Sequence, residues 1–438
     1  MINCDNRAAH YFDEYAAGGS SVKSTYYTIG RNLPGVLYEP EGNSRKSGLC
    51  ILIMHSDISY LDFEFGPRIA AWGYRVLCAN VSSGDAPLDQ KILEVGQCVG
   101  FARGLPGVDT LVLLGHSGGA SLMSAYQAIA ENGPEIFQGP EKIVPCSDRL
   151  AGLPAADAVM FLDSNWGNGA MRVFSLDPAV TDDDNGVILD PELSLFEERN
   201  GFTPGGTSYS DAFIRKFQQA QGQRNTRLPA YALSRVKAIE SGEGKYRDDE
   251  PMIIAGASQA FFNNKLFAQD IRLLSRTRKP WPLLHGDGTI TTEIVCSVRK
   301  PENDFSLTDS YERGSLPTTV RKYLSNYALR TTEDYGFNED SVFGIDWDSS
   351  YNCTPGNVSG IRVPVLILGM TASWEYSAAE TIAERAVSQD VTLAYVEGAQ
   401  HFFNTAKDRE QYPGQFGDTM QTTCRFVDAW LRDKFGKE

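Results

Sequence analysis

Apolar residues follow two rhythms along the chain. Leu49-Cys50-Ile51-Leu52-Ile53-Met54 is an unbroken apolar run, as expected of a strand buried on both faces. Shorter runs of the same kind occupy 74–79, 110–114, 158–162, 363–368 and 391–396, while 23–29 and 33–38 read as two strands joined by Gly30-Arg31-Asn32. Between these runs, 63–72, 88–102, 119–130 and 378–387 read as helices. Ile92, Leu93 and Val99 fall at helical spacing, and Gly73, Gly104 with Pro106, and Asn132-Gly133-Pro134 supply stops. A closing amphipathic helix is expected over 416–435. Alternation of buried strand and amphipathic helix predicts an α/β fold: a mostly parallel sheet with helices on both faces.

The rhythm breaks after the sixth strand. From about 167 to 360 the chain is polar, punctuated by Gly and Pro, and rich in aromatics, and the rhythm resumes only at 363. Helices are expected there at 211–221, 228–239 and 318–329, with a strand pair around 289–298. A segment of this length needs structure of its own. The expected organisation is therefore a core domain of 1–166 and 361–438, interrupted by a cap, or lid, of 167–360. Trp281, Tyr311, Tyr323, Tyr327, Trp347, Tyr351 and Phe261-Phe262 lie in that cap. They would give either an aromatic-lined pocket or the cap's own core.

Charge narrows the partners. With 40 basic and 56 acidic residues among 438, the formal charge is −16. That balance argues against nucleic acid or an anionic membrane surface as partner. The first residues lack a basic stretch followed by an apolar one, no apolar run is long enough to span a bilayer, and the eight cysteines include no C-x-x-C pair. A cytoplasmic protein with free thiols is expected. Nothing in the sequence speaks to oligomeric state. No H-E-x-x-H, phosphate loop or dinucleotide fingerprint is present, so neither a metal nor an organic cofactor is expected.

The chemistry is expected at Gly115-His116-Ser117-Gly118-Gly119. Gly-x-Ser-x-Gly is weak alone, but here a strand precedes it and a helix follows. Such a turn strains the serine backbone and needs small neighbours, which Gly115, Gly119 and Ala120 supply. With this context the chain resembles the α/β-hydrolase superfamily, of the serine esterase or lactonase kind, over about its first 165 and last 75 residues. The resemblance implies a catalytic triad in the order Ser, acid, His, with Ser117 as nucleophile, and an oxyanion hole of two backbone N–H groups.

Of the five histidines, His10, His55, His116, His285 and His401, only His401 follows the last strand, in Gly398-Ala399-Gln400-His401, where the resemblance puts the base. His55 and His116 are expected beside the substrate with Trp374, although a histidine at position 55 more often braces its loop than touches substrate; His285 is expected in a turn. Where His-Gly is usual after the strand 49–54, this chain has His55-Ser56-Asp57, so the first oxyanion donor is the N–H of Ser56 or Asp57 and the second that of Gly118. No Asp occupies the usual acid position after 363–368. Glu375 is the first carboxylate reached, and Asp163, at the end of 158–162, is the alternative, with a residue such as Glu380 a further one. The expected reaction is acyl transfer to Ser117 from a medium-sized apolar or aromatic ester or lactone, followed by hydrolysis. Amide or carbon–carbon bond cleavage could use the same residues, and an inert ligand receptor is the rival class.

Overall fold

The computed structural model describes residues 21–42, 44–183, 188–203, 206–257, 265–301 and 314–436. His10, Phe261, Phe262 and Tyr311 lie outside the described residues. Fourteen strands are described: β1 (Val22–Ile29), β2 (Leu33–Pro40), β3 (Leu49–His55), β4 (Arg75–Asn80), β5 (Thr110–Ser117), β6 (Ala158–Ser164), β7 (Pro251–Ile254), β8 (Arg276–Leu284), β9 (Ile290–Cys296), β10 (Leu316–Thr319), β11 (Arg330–Phe337), β12 (Val342–Asp346), β13 (Val365–Met370) and β14 (Val391–Val396).

Ten of them form one sheet in the order β1-β2-β4-β3-β5-β6-β13-β14-β8-β9. The pairings from β4 through β3, β5, β6, β13 and β14 to β8 are parallel; β1, β2 and β9 pair antiparallel at the edges. The apolar runs are buried on both faces because alternate residues enter different cores. Cys50, Leu52 and Met54 of β3 join the cluster on one face, with the helices Leu88–Arg103 and Gly119–Asn132. Leu49, Ile51 and Ile53 join the other, with Phe65–Ala70 and the closing helix Thr419–Phe435. This is the parallel α/β sheet that the strand and helix pattern predicted, in the α/β-hydrolase order that the resemblance implied.

The segment 167–360 differs from expectation in two ways. Part of it has its own small core, where Leu228, Ala232 and Ile239 pack with Met252, Ile254, Val320 and Tyr323 around the antiparallel pair of β7 and β10. The β8–β9 hairpin, however, joins the central sheet, with Tyr395↔Leu283 and Val396↔Leu284 in parallel register. The segment is thus not cap alone: it completes one edge of the core. The helices expected at 211–221 and 228–239 are also a single helix, Asp211–Glu240, running through Pro229. A proline costs a helix interior one hydrogen bond. Here Phe213, Phe217, Gln221, Asn225, Leu228 and Ala232 make a buried stripe that continues across it. Among the described residues the cysteines are free thiols, and no helix is long and apolar enough to cross a membrane.

Candidate active site

β5 ends in a sharp turn into the helix Gly119–Asn132. Ser117, at φ 53°, is in the left-handed region that a residue with a side chain enters only under strain. The turn is possible because its neighbours are glycines. A Cβ on Gly115 would lie 2.4 Å from the Cα of Ala120, and one on Gly119 would lie 2.5 Å from the Met54 carbonyl oxygen. We expect Gly119→Ala to lower stability by about 2 kcal/mol and to reduce activity, because the carbonyl it meets belongs to β3 and cannot rotate away. Chemical denaturation of the purified variant checks this; an unchanged midpoint would contradict the close packing.

Asp163 arrives by a second irregularity. The β5–β6 pairing runs in register to His116↔Leu162 and resumes at Ser117↔Ser164, leaving Asp163 as an extra residue at φ 43°. The bulge turns its buried carboxylate toward the loop after β14. There Asp163 Oδ2 lies 2.6 Å from His401 Nδ1, while its Oδ1 accepts from the Met370 N–H at 3.1 Å. With Nδ1–H donating to Asp163, Nε2 of His401 is left with its lone pair, the state a general base needs.

Glu375 stands in the turn between β13 and the helix Ala378–Arg385, with its Oε2 3.8 Å from the same Nδ1. The hydrogen bond therefore goes to the alternative carboxylate, Asp163, and not to Glu375, the first named from the sequence. The reason is the bulge: it brings Asp163 to 2.6 Å, whereas Glu375 stops at 3.8 Å. Glu380 faces elsewhere, accepting from the N–H groups of Arg278 and Lys279 and from the Trp281 indole. Burial alone would lower the pKa of His401, but the charge of Glu375 and the bond and charge of Asp163 outweigh it and raise it. Burial, reinforced by Asp163, pushes the Glu375 carboxyl upward against the pull of His401.

The other two histidines of the core are struts. His116 is fully buried, with Nε2 2.7 Å from the carbonyl oxygen of His401 and Nδ1 2.5 Å from the Tyr60 hydroxyl. The carbonyl can only accept, so Nε2 carries the proton and Nδ1 accepts from Tyr60. Burial holds this ring well below the ordinary histidine value, hence neutral. His116 thus fixes the loop that carries His401 to the elbow strand, a correction to its expected place beside the substrate. His116, Asp163 and His401 each offer a ligand atom within 4.8 Å of the others. As a metal set they are poorly disposed, since both ring nitrogens of His116 and Nδ1 of His401 are already committed.

His55 accepts at Nδ1 from the N–H groups of Asp57 (3.0 Å) and Ile58 (3.2 Å), which braces the loop, and burial lowers its pKa to about 4. The Asp57 N–H is thereby used, leaving Ser56 as the freer of the two expected donors. A Cβ on Gly118 would lie 3.1 Å from Ser56 Oγ and 3.2 Å from Asn168 Oδ1, so this glycine backbone faces Ser56 across a narrow space. Asp57 is held by Lys91 (3.1 Å) and by the hydroxyl of Ser56 (2.8 Å), and Asn168 reaches both Ser56 and Asp57. Lys91, Asn168 and Tyr60 were not singled out from the sequence. Lys91 did carry a signal: it sits on the apolar stripe Leu88, Ile92, Val95, Val99, where a lysine must be either a mistake or a buried partner. Asn168 and Tyr60 carried none.

A cleft of about 490 Å³ opens beside His401, lined by Ile58, Tyr60, Asp62, Phe63, Glu64 and Phe402, among others. Ile58 and Phe402 are 53% and 48% exposed. Of the two roles expected for the cap aromatics, four take the packing one, and Trp374, expected beside the substrate, packs as well. Tyr323, Tyr327, Trp347 and Tyr351 are buried in hydrophobic clusters, and Trp374 stacks on Phe267 with ring centroids 6.0 Å apart. His285 bonds Glu397 (2.6 Å) and Thr291 (2.8 Å), tying the β8–β9 hairpin to the loop after β14.

Strand order and the sharp strand-to-helix turn at Ser117 define a protein of α/β-hydrolase architecture. No protein-family profile and no curated protein matches the chain. Among solved structures it is similar to Est1E from Butyrivibrio proteoclasticus (13% identity, 94% of this chain and 99% of that one, TM-score 0.38). It is likewise similar to the alpha/beta hydrolase GrgF from Penicillium sp. sh18 (11%, 95% and 99%, 0.41). A third is the esterase domain of a Rhodothermus marinus protein (10%, 94% and 98%, 0.37). At this level of likeness the neighbours say nothing about substrate.

Proposed function

We propose that this protein is a serine hydrolase that cleaves a carboxylic ester or lactone of a medium-sized, largely apolar compound through an acyl-enzyme on Ser117. The observation that carries the reading is the Asp163–His401 hydrogen bond beside a strained serine elbow. In this reading His401 Nε2 takes the Ser117 hydroxyl proton as Oγ attacks the carbonyl carbon. The N–H groups of Gly118 and Ser56 receive the oxyanion, and the imidazolium, stabilised by Asp163, returns its proton to the departing alkoxide. Water then repeats the sequence on the acyl-enzyme and releases the acid.

The cleft supports a substrate with an apolar face, offered by Ile58, Phe63 and Phe402, and Asp62 and Glu64 on its wall disfavour an anionic one. A panel of para-nitrophenyl esters of increasing acyl length tests this. Turnover should peak at short to medium acyl chains and fall for an acyl group bearing a carboxylate. Absence of turnover at every length would count against ester chemistry and favour a receptor.

The protonation of His401 sets the pH dependence. Only the neutral ring can accept the serine proton, so kcat/KM should fall as pH drops through its pKa, which lies above the ordinary 6.5. A pH profile on one activated ester reads this limb directly; an inflection below 6.5 would contradict the influence of the two carboxylates.

A further inference from the structure

The proposed triad uses one carboxylate, yet two converge on His401. Glu375 is 2% exposed, and among the described residues its Oε2 has no hydrogen-bond partner although it is buried 3.8 Å from Nδ1. Its Oε1 meets only the Asn165 amide, at 3.5 Å. Burying a carboxyl oxygen without a donor costs free energy, and such a group is retained where something else requires it. Among the described residues, the groups that face it are few. They are Asp163 and Asn165 at the end of β6, His401 on the loop after β14, Lys265 ahead of the short helix Leu266–Gln269, and Tyr60 on the loop after β3.

Resting on the reading above, we infer that Glu375 is a second carboxylate partner of His401: it sets negative charge against the imidazolium formed during acyl transfer, and it takes over the Nδ1–H when Asp163 is removed. Moving Oε2 from 3.8 Å into hydrogen-bond range is a shift of about 1 Å, within reach of a side-chain adjustment. Glu375 is a positioning residue in this scheme, since it touches the base and not the substrate. Burial pushes its carboxyl upward, and the positive charge of a protonated His401 pulls it back down, so the imidazolium itself favours the ionised carboxylate beside it.

The test uses the full-length protein and the labelling rate of a fluorophosphonate probe, which requires the nucleophile and base but no identified substrate. Asp163→Asn presents an amide N–H to Nδ1 and holds the wrong tautomer, while Asp163→Ala leaves room for Glu375. We expect Asp163→Ala to label at least about tenfold faster than Asp163→Asn, and Asp163→Ala/Glu375→Gln to fall back to the slower rate. In otherwise wild-type protein, Glu375→Gln should move the acidic limb of the labelling-rate profile to lower pH, because His401 loses a neighbouring negative charge. A structural role would leave the limb in place. Equal rates for the two Asp163 variants, together with an unmoved limb in Glu375→Gln, would overturn the inference. Undiminished labelling of Ser117→Ala would instead overturn the reading on which it rests.

Discussion

Replacement of Ser117 by alanine is expected to lower kcat/KM for an activated ester by roughly 10⁵-fold, to the level set by binding and the oxyanion donors alone. The fold should survive the change. The side chain stands half-exposed at the end of β5, and the strained backbone at φ 53° is imposed by the turn and its glycines, not by the hydroxyl. Unfolding midpoint and activity therefore separate: the first is unchanged, the second is lost. A variant that kept a tenth or more of wild-type activity would mean that another group attacks the substrate.

Asp163→Asn should produce the second largest loss, about 10⁴-fold in kcat with KM little altered. The wild-type carboxylate accepts Nδ1–H at 2.6 Å and so fixes the tautomer in which Nε2 is basic. An asparagine keeps the size and the Met370 N–H contact, but its amide N–H reverses the polarity of the bond. Glu375→Gln should cost less than about tenfold, since Nδ1 retains Asp163. The comparison discriminates sharply between the carboxylates: if Glu375→Gln is the more damaging change, the hydrogen-bond geometry does not describe the working enzyme.

Much of this was legible from residues alone, for identifiable reasons. β3, β5 and β13 declare themselves because a strand buried on two faces must be apolar throughout, and the elbow because only glycine tolerates a backbone carbonyl at 2.5 Å. The carboxylate partner of His401 was less legible. A bulge at Asp163 changes no residue type in the sequence, yet it turns one side chain by the amount that decides the hydrogen bond. A strand pair was expected around 289–298, but the place of β8 and β9 in the central sheet was hidden: Arg276, Arg278, Lys279 and Glu293 make the hairpin polar, as a sheet edge closed by β9 requires, and so it reads as cap. The roles of His116 and Trp374 turned on packing direction. A histidine next to Ser117 could face the cleft or the loop behind it, and Tyr60 with the His401 carbonyl oxygen draws this one behind.

The central claim is that Ser117 is a nucleophile activated by His401. Its most direct measurement is peptide mapping of the protein after brief exposure to a fluorophosphonate at neutral pH. One adduct on the peptide carrying Ser117, lost in Ser117→Ala and strongly slowed in His401→Ala, is the predicted result. An adduct on another residue, or labelling that persists undiminished in Ser117→Ala, would contradict it.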